Sequence, residues 1–228
     1  MGKGNALSGM TARDIVSQAT IKALFFVMRL TGTALFKAKA RLFGVTYGAG
    51  PQCWGAVHLL RHPGGVIRIG DNVRMVSDSR RCTSASIYAP VKLRTFARGA
   101  AIRIGDNVGL NGTAITARTT SVTIGNGTII GPNCCIMDSD FHAIWPPEIR
   151  STDPGYERDA AVRIGDNVWI GAQCIVLKGA TIGDNAVIAA GSVVTGAIPP
   201  NVMAAGRPAR VVKSWDGPGG ADRPREEA

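Results

Sequence analysis

The stretch IGDNVWIGAQCIVLKGATIGDNAVIAAGSVV, residues 164–194, repeats an aliphatic residue at every sixth position. A helix would repeat its apolar positions about every 3.6 residues, and an ordinary strand about every two. Short strands that meet at regular corners produce a period of six instead. The stretch therefore predicts a β-solenoid built from hexapeptide repeats. The repeated positions are Ile164, Ile170, Val176, Ile182, Ile188 and Val194.

A second pattern, the phrase Arg-Ile-Gly-Asp-Asn-Val, occurs three times, at 68–73, 103–108 and 163–168. Gly and Asn adopt left-handed backbone conformations at low cost, as a tight corner requires. The aliphatic residue before each corner can then point into a narrow interior. The phrase therefore predicts one corner of a coil at each occurrence.

The composition agrees with one elongated domain. Among 228 residues, 45% are hydrophobic, 29 are Gly and only 6% are aromatic, so the core must be built from stacked Ile, Val and Ala. We predict an all-β chain with three parts. Residues 1–65 form an N-terminal helical and capping segment, 66–213 form the solenoid, and 214–228 form a flexible tail.

The charge is strongly basic, with 26 Lys and Arg against 16 Asp and Glu and a formal net charge of +10. Nucleic acid, anionic lipid and phosphorylated cofactors all attract such a surface, so charge alone selects none of them. No nucleic-acid-binding motif occurs and aromatic residues are few, so we expect no nucleic-acid partner. Five cysteines without a Cys-x-x-Cys pair or a signal sequence favour a cytoplasmic location.

The N-terminal 50 residues carry much of this charge, with seven Lys or Arg against one acid, Asp14. Thr11 and Asp14 have the spacing of a capping box, which predicts a helix start. The apolar run Ala23–Met28 is far shorter than the roughly 20 residues that span a bilayer. Two interpretations stay open: a helix that caps the solenoid, or one that lies on the inner face of the membrane as a peripheral contact.

The rhythm breaks after Ile136. From Ile124 the aliphatic frame continues through Ile130 and Ile136, so position 142 should be aliphatic, but it is His142. The frame resumes at Ile164, 22 residues later and therefore out of phase by four. The break predicts that a loop, residues 142–160, is extruded from the solenoid with a histidine at its root. Loops that leave a rigid scaffold commonly carry function.

Several motifs around this break resemble the O-acetyltransferases of the hexapeptide superfamily, which include galactoside, maltose and nodulation-factor acetyltransferases. The resemblance covers about residues 66–213. It implies a left-handed parallel β-helix with three hexapeptides per triangular coil, a trimer with sites between neighbouring subunits, and acetyl-CoA as donor. The motifs are Asp138-Ser-Asp140-Phe-His142, Val168-Trp169-Ile-Gly171, Gly183-Asp184, Ala190-Gly191-Ser192 and the segment from Ile198 through Gly206 to Pro208.

The resemblance also implies catalytic roles. His142 is the candidate general base that takes the proton from an acceptor hydroxyl as its oxygen attacks the thioester. Asn111 lies at the spacing at which similar enzymes place an asparagine that contacts the substrate, and its amide can both donate and accept hydrogen bonds. Asp138 and Asp140 are candidates to orient His142 by accepting its second N–H, and Asp140 is slightly preferred.

The matching donor positions combine small residues and cations. Backbone groups of Ala172, Ala190 and Thr195 are expected to line a slot for the pantetheine arm of acetyl-CoA. Trp169 is expected either to line the binding site of the acceptor or of the pantetheine, or to pack at the interface between subunits. A zinc hydratase on a similar helix needs three histidine ligands, and the chain has three histidines in all, so we expect no metal. The cations expected to meet the nucleotide phosphates are Arg207, Arg210 and Lys213.

The sequence therefore predicts an acetyl-CoA-dependent O-acetyltransferase that acts on a carbohydrate hydroxyl in the assembly of a surface polysaccharide or glycolipid. The alternative is an N-acetyltransferase of an amino sugar, or of a xenobiotic such as an antibiotic, on the same scaffold. The general base would be the same residue in either enzyme. The two hypotheses differ in the acceptor pocket, which the loop and the irregular segment 74–99 would form.

Overall fold

A computed structural model describes residues 10–215. Its strands cycle through three sheets, so that each strand pairs in parallel with the one three places later along the chain. This is a parallel β-helix with a triangular cross-section, as predicted. Sheet A contains β1 (Thr46–Tyr47), β4 (Val66–Ile69), β7 (Ala101–Ile104), β10 (Ser121–Ile124), β13 (Val162–Ile164), β16 (Thr181–Ile182) and β19 (Ala197–Ile198).

The second and third faces are sheets B and C. Sheet B contains β2 (Gln52–Trp54), β5 (Arg74–Val76), β8 (Gly109–Asn111), β11 (Ile129–Ile130), β14 (Trp169–Ile170), β17 (Val187–Ile188), β20 (Val202–Gly206) and β21 (Ala209–Ser214). Sheet C contains β3 (His58–Leu60), β6 (Lys92–Thr95), β9 (Ala114–Ala117), β12 (Cys135–Met137), β15 (Ile175–Val176) and β18 (Val193–Val194).

The six-residue period places one aliphatic side chain from each strand inside the triangle. Ile164 pairs with Ile182 on sheet A, and Ile170 pairs with Ile188 on sheet B. Each partner lies 18 residues along the chain, which is three hexapeptides. All six positions of the 164–194 frame are buried, with Ile164 the most exposed at 3%. The predicted inward stacking is confirmed.

The Gly-Asp-Asn corners stack in the same register. Asn107 and Asn167 have φ angles of 58° and 54°, in the left-handed region that Asn tolerates better than most residues. The Asp at the corner accepts a hydrogen bond from the coil before it: Asp106 Oδ1 accepts from the Asp71 amide at 2.8 Å. Asp184 Oδ1 accepts from the Asp166 amide at the same distance. The corners therefore form a ladder that fixes the spacing between coils.

The coils begin earlier than the predicted boundary at residue 66. Strands β1, β2 and β3 form a first coil, with Cys53 paired to Met75 and Leu59 paired to Leu93. Their sequence lacks the Ile-Gly-Asp-Asn phrase, so the period alone did not reveal them. At the other end, β21 reverses direction and pairs antiparallel with β20. Ser214 belongs to that hairpin and Trp215 follows it, while the rest of the predicted tail, 216–228, lies outside the described residues.

Helix α1 (Ala12–Phe43) covers the first coil with its C-terminal half. Phe36 and Ala40 are fully buried, and a Cβ at Gly32 would lie 2.5 Å from the Cys53 carbonyl oxygen. The helix starts at the predicted capping box, with Thr11 and Asp14 hydrogen-bonded reciprocally. Its C-terminal half therefore caps the solenoid.

The N-terminal half of α1 is different, because its apolar side chains are exposed. Leu24 and Phe26 are 39% and 52% exposed, although two residues place them on nearly opposite sides of the helix. The predicted six-residue run is thus part of a 32-residue helix. Within residues 10–215, α1 is long and apolar enough to cross a membrane by the criteria of length and composition. This corrects the prediction that the apolar segment is too short to span.

The corner geometry generates a stability prediction at Asn167, which lies outside the candidate sites. Asn167→Ala should lower the free energy of unfolding by about 1–2 kcal/mol, because alanine resists a left-handed φ. Asn167→Gly should cost less, since glycine adopts this conformation without a steric penalty. Urea unfolding of the two variants beside the unchanged protein measures the difference. Equal stability of the alanine and glycine variants would contradict the role assigned to the corner.

Candidate functional site

The frame break corresponds to a long connection between sheets C and A. Ile124 on β10 pairs with Ile164 on β13, 40 residues away, whereas the regular coil spacing is 18. No strand lies between Met137 and Val162. That segment contains two short 3-10 turns, Pro147–Ile149 and Tyr156–Arg158. The two ends of the connection leave and rejoin the solenoid at the edge between sheets C and A.

A buried arginine, Arg118, ties this connection to the solenoid. It is 4% exposed and donates to both carboxylate oxygens of Asp159, from Nε at 2.8 Å and from Nη2 at 2.7 Å. Its Nη1 also donates to the Pro154 carbonyl oxygen, and its guanidinium lies 4.6 Å from the Tyr156 ring centroid. Burial raises the pKa of Asp159, but hydrogen bonds from Arg118, Thr119 and a serine outweigh it and hold the pKa below its ordinary value. Sequence reasoning missed Arg118, which has no spacing signature.

Asp138 anchors the first end of the connection. Its carboxylate is completely buried and accepts from the Arg118 amide at 2.6 Å and from both the amide and the hydroxyl of Thr120 at 2.9 Å. These three bonds satisfy a buried carboxylate and fix the corner that follows β9. The Asp138 carboxylate therefore stabilises the backbone of this corner and does not hydrogen bond His142.

Asp140, the preferred candidate to orient the base, faces another partner. Its Oδ2 lies 2.5 Å from Nζ of Lys178, and both side chains are partly exposed. Neither carboxylate predicted to orient His142 contacts the imidazole. The hydrogen bond of the ring runs instead from Nδ1 to the carbonyl oxygen of Arg150, at 3.1 Å.

This bond determines the protonation pattern of neutral His142. A carbonyl oxygen can only accept, so Nδ1 carries the hydrogen and Nε2 keeps its lone pair. The His142 side chain is exposed. Its partner Arg150 is held by a second hydrogen bond, in which Arg150 Nη2 donates to the Ile144 carbonyl oxygen at 3.1 Å. Nε2 is therefore available to accept a proton at the edge between sheets C and A.

A second group of candidates lies at the next edge, between sheets B and C. Asn111 ends β8 there, and its Nδ2 donates to the Ile130 carbonyl oxygen at 2.9 Å. Ala172 and Ala190 stack at the same edge, where the Gly191 amide donates to the Ala172 carbonyl oxygen at 2.8 Å. A Cβ at Gly171 would lie 2.5 Å from the Ala190 amide nitrogen, so this edge accepts only small residues.

The C-terminal hairpin reaches the same edge. Arg207, at its turn, donates from Nε to the Gly191 carbonyl oxygen at 2.6 Å. Arg210 follows on β21 with an exposed side chain. Lys213 is on the same strand, and its Nζ lies 5.6 Å from the ring centroid of Trp215. The predicted phosphate-binding cations are therefore spread along one hairpin.

The two groups do not meet within one protomer. Asn111 precedes β9 and His142 follows β12, and these strands pair in parallel on sheet C. The B–C edge and the C–A edge are therefore separated by the length of one strand of sheet C, which is three to four residues or roughly 10–13 Å. Thr195 follows β18, so it belongs to the edge of His142, and Trp169 faces outward from sheet B at 59% exposure. A site that uses both groups needs two protomers.

The three comparisons with known proteins agree on the type of repeat. A model of the bacterial transferase hexapeptide (six repeats) matches residues 161–196. Galactoside O-acetyltransferase of Escherichia coli K12 is 42% identical over 118 residues, which are 52% of this chain and 56% of that protein. WbbJ of the same strain is named as a provisional lipopolysaccharide biosynthesis O-acetyl transferase. It is 35% identical over 136 residues, which are 55% of this chain and 66% of the length of WbbJ.

A solved structure extends the agreement to the fold. A mutant of AntD, an N-acyltransferase from Bacillus cereus in complex with dTDP-4-amino-4,6-dideoxyglucose and coenzyme A, superposes with a TM-score of 0.58. The two chains are 20% identical, and the match covers 78% of this chain and 88% of that one. The present chain spans between about half and two thirds of the length of the two curated relatives. In its repeat over residues 161–196, in its relatives and in its fold, the chain is similar to the hexapeptide-repeat transferases.

Proposed function

We propose that the protein is an acetyl-CoA-dependent O-acetyltransferase that acts on a carbohydrate hydroxyl, with His142 as general base. The observation that carries the proposal is the bond from His142 Nδ1 to the Arg150 carbonyl oxygen, which leaves Nε2 free to accept a proton. Curated relatives named for O-acetyl transfer support the O-acetylation over N-acetylation. AntD supports the fold alone.

The chemistry requires one proton to move twice. Nε2 takes the proton of the acceptor hydroxyl as its oxygen attacks the thioester carbonyl of acetyl-CoA, which forms a tetrahedral intermediate. The carbon–sulfur bond then breaks, and the imidazolium returns the proton to the departing thiolate. The Arg150 carbonyl stabilises the charged ring as the Nδ1–H becomes more acidic, the task that a carboxylate performs in other histidine bases.

The active assembly in this proposal is a trimer with left-handed coils. Asn111, Ala172, Ala190 and Arg207 of one protomer lie at its B–C edge and would face His142 at the C–A edge of a neighbour. The small residues of the B–C edge would admit the pantetheine, while Arg210 and Lys213 would meet the nucleotide phosphates. Acetyl-CoA is abundant in the cytoplasm, where we place the enzyme, and the acceptor belongs to a surface polysaccharide or glycolipid precursor.

Removal of the base should abolish turnover. His142→Ala is expected to lower kcat by about 10²- to 10⁴-fold and to leave the affinity for CoA unchanged, because the imidazole acts on the proton and does not hold the donor. His58→Ala, on the exposed face of the first coil, is the matched control and should keep full activity. Thiol release from acetyl-CoA and calorimetric CoA titration provide the two readouts. A His142→Ala protein with near-normal kcat would rule out this base.

Arg118 is a positioning residue, and its effect should pass through the connection that carries His142. Arg118→Ala removes one partner of a buried ion pair, which typically costs about 3–5 kcal/mol of stability, and should lower kcat in the fraction that stays folded. Arg158→Ala is the control in the same connection, since its pair with Asp153 is partly exposed and screened by water, so its loss should cost much less stability. The readouts are urea unfolding and kcat per folded trimer. Equal effects of the two variants would contradict the role of Arg118.

The shared site predicts complementation. Asn111→Ala and His142→Ala proteins should each be inactive alone. Trimers formed by unfolding and refolding an equal mixture should regain about a quarter of the normal activity, because random assembly places an intact Asn111 beside an intact His142 at about one site in four. Mixing without refolding is the control. No recovery in mixed trimers of confirmed composition would show that the two residues act within one protomer.

A further inference from the structure

A groove of about 400 Å³ lies over the outer face of sheet B at the first four coils, from β2 to β11. Asn111 lies at one end of it, while the mechanism proposed above leaves the rest of the lining unused. The segment 77–91 forms one wall and is fixed to the B–C edge: the Tyr88 amide donates to Asn133 Oδ1 at 2.9 Å, and Gln173 Nε2 contacts the Tyr88 hydroxyl at 2.7 Å. The residues that matter to its chemistry are Trp54, Arg74, Arg81, Asn107, Asn111 and Ile129.

The groove is cationic. Arg74 and Arg81 both line it, and no acidic residue does. Within residues 10–215, neither guanidinium forms an ion pair, in contrast to the neighbouring Arg80, which pairs with Asp78 at 2.8 Å. Arg81 instead lies over the Trp54 ring, 4.8 Å from its centroid. Two unpaired guanidinium groups beside amide side chains favour an anionic ligand such as a phosphate.

The groove continues onto the exposed half of α1. A second depression, of about 460 Å³, shares Trp54 and Arg81 with the first and is otherwise lined by the helix, including Lys22, Phe25 and Phe26. Arg81 joins the two, since its guanidinium also lies 5.6 Å from the Phe25 ring centroid. A cationic groove thus meets an apolar helix surface that carries basic residues of its own. An anionic amphiphile, with a charged head and apolar chains, matches this arrangement in both charge and polarity.

We propose that this composite surface binds anionic lipid at a membrane, with the phosphate between Arg74 and Arg81 and the acyl chains against the exposed half of α1. The occupant is a bilayer lipid because α1 exposes apolar residues on several sides: Leu24 and Phe26 point in nearly opposite directions, and Leu30 is 52% exposed. The lipid head group would then lie beside Asn111. Resting on the proposed function, this position makes the acceptor a lipid-linked glycan presented at the membrane.

The binding test uses the full-length protein and needs no acetyl-CoA, so its outcome is independent of the proposed catalysis. Flotation with vesicles of phosphatidylcholine, with and without phosphatidylglycerol, measures the partition. The protein should bind the anionic vesicles, and the double substitution Arg74→Gln and Arg81→Gln should weaken that binding by about 30-fold, at roughly 1 kcal/mol for each cation near an anionic surface. The matched control, Arg103→Gln with Arg163→Gln on the exposed face of sheet A, should change it by less than about threefold.

A second pair of variants tests the apolar part. Phe26→Gln with Leu30→Gln should weaken vesicle binding as well, whereas Leu42→Gln, at the other end of α1 and 78% exposed, should not. Circular dichroism and light scattering confirm the fold and mass of every variant. The proposal is overturned if the sheet A control loses as much binding as the sheet B pair, or if glycerol 3-phosphate displaces the protein from vesicles, which would indicate a site for a soluble phosphate. A lower mass of the Phe26→Gln with Leu30→Gln variant in light scattering, without a change in vesicle binding, would assign α1 to contact between copies of this chain. That result would also overturn the proposal.

Discussion

The stacking of one aliphatic side chain per strand on its counterpart a coil away is the contact on which the rest of the molecule depends. Each strand has only two to four residues in most of the solenoid and could not be stable alone. Ile170 becomes fully buried because Ile188 covers it from the next coil. The coils are therefore stable only as an array, and left-handed corners such as Asn167 keep that array in register.

The rigid array explains how the site can be assembled from a long irregular connection. Sheet C holds its two edges at a constant distance, so residues that leave it at β12 and residues that enter it at β9 cannot approach each other. The connection after β12 must therefore be held in place by contacts of its own, and Arg118 and Asp138 provide them from the solenoid. Because Arg118 binds Asp159 and Pro154 near the far end, the exposed part that carries His142 is closed into a loop of restricted freedom.

The sequence was sufficient for most of the coils. The period of six identified six inward-facing aliphatic positions from Ile164 to Val194, all of them buried, and the Asn of each Gly-Asp-Asn phrase marked a left-handed corner. It failed for the first coil, where Cys53 and Leu59 stack in register without any repeated phrase. It also failed for the length of α1, since Lys22 and Arg29 divide the apolar pattern without interrupting the helix.

The details of the candidate site depend on long-range contacts that no spacing in the sequence encodes. Arg150 meets His142 through a backbone carbonyl, which any residue could supply, and Asp140 contacts Lys178 from the next coil. Arg118 and Asp159 are 41 positions apart and pair only because the connection folds back onto sheet C. A motif could therefore suggest the histidine, but its hydrogen-bond partner had to come from the structure.

The most direct test of the central claim, a base at one edge that acts on a thioester held by the neighbouring protomer, is an experimental structure of the protein with CoA. We expect the CoA sulfur within about 3–4 Å of Nε2 of His142, with the pantetheine along the B–C edge of the adjacent copy, past Ala172 and Ala190. The Nδ1 contact with the Arg150 carbonyl should persist in the complex. CoA bound wholly within one protomer, or a sulfur far from the imidazole, would contradict a site shared between protomers.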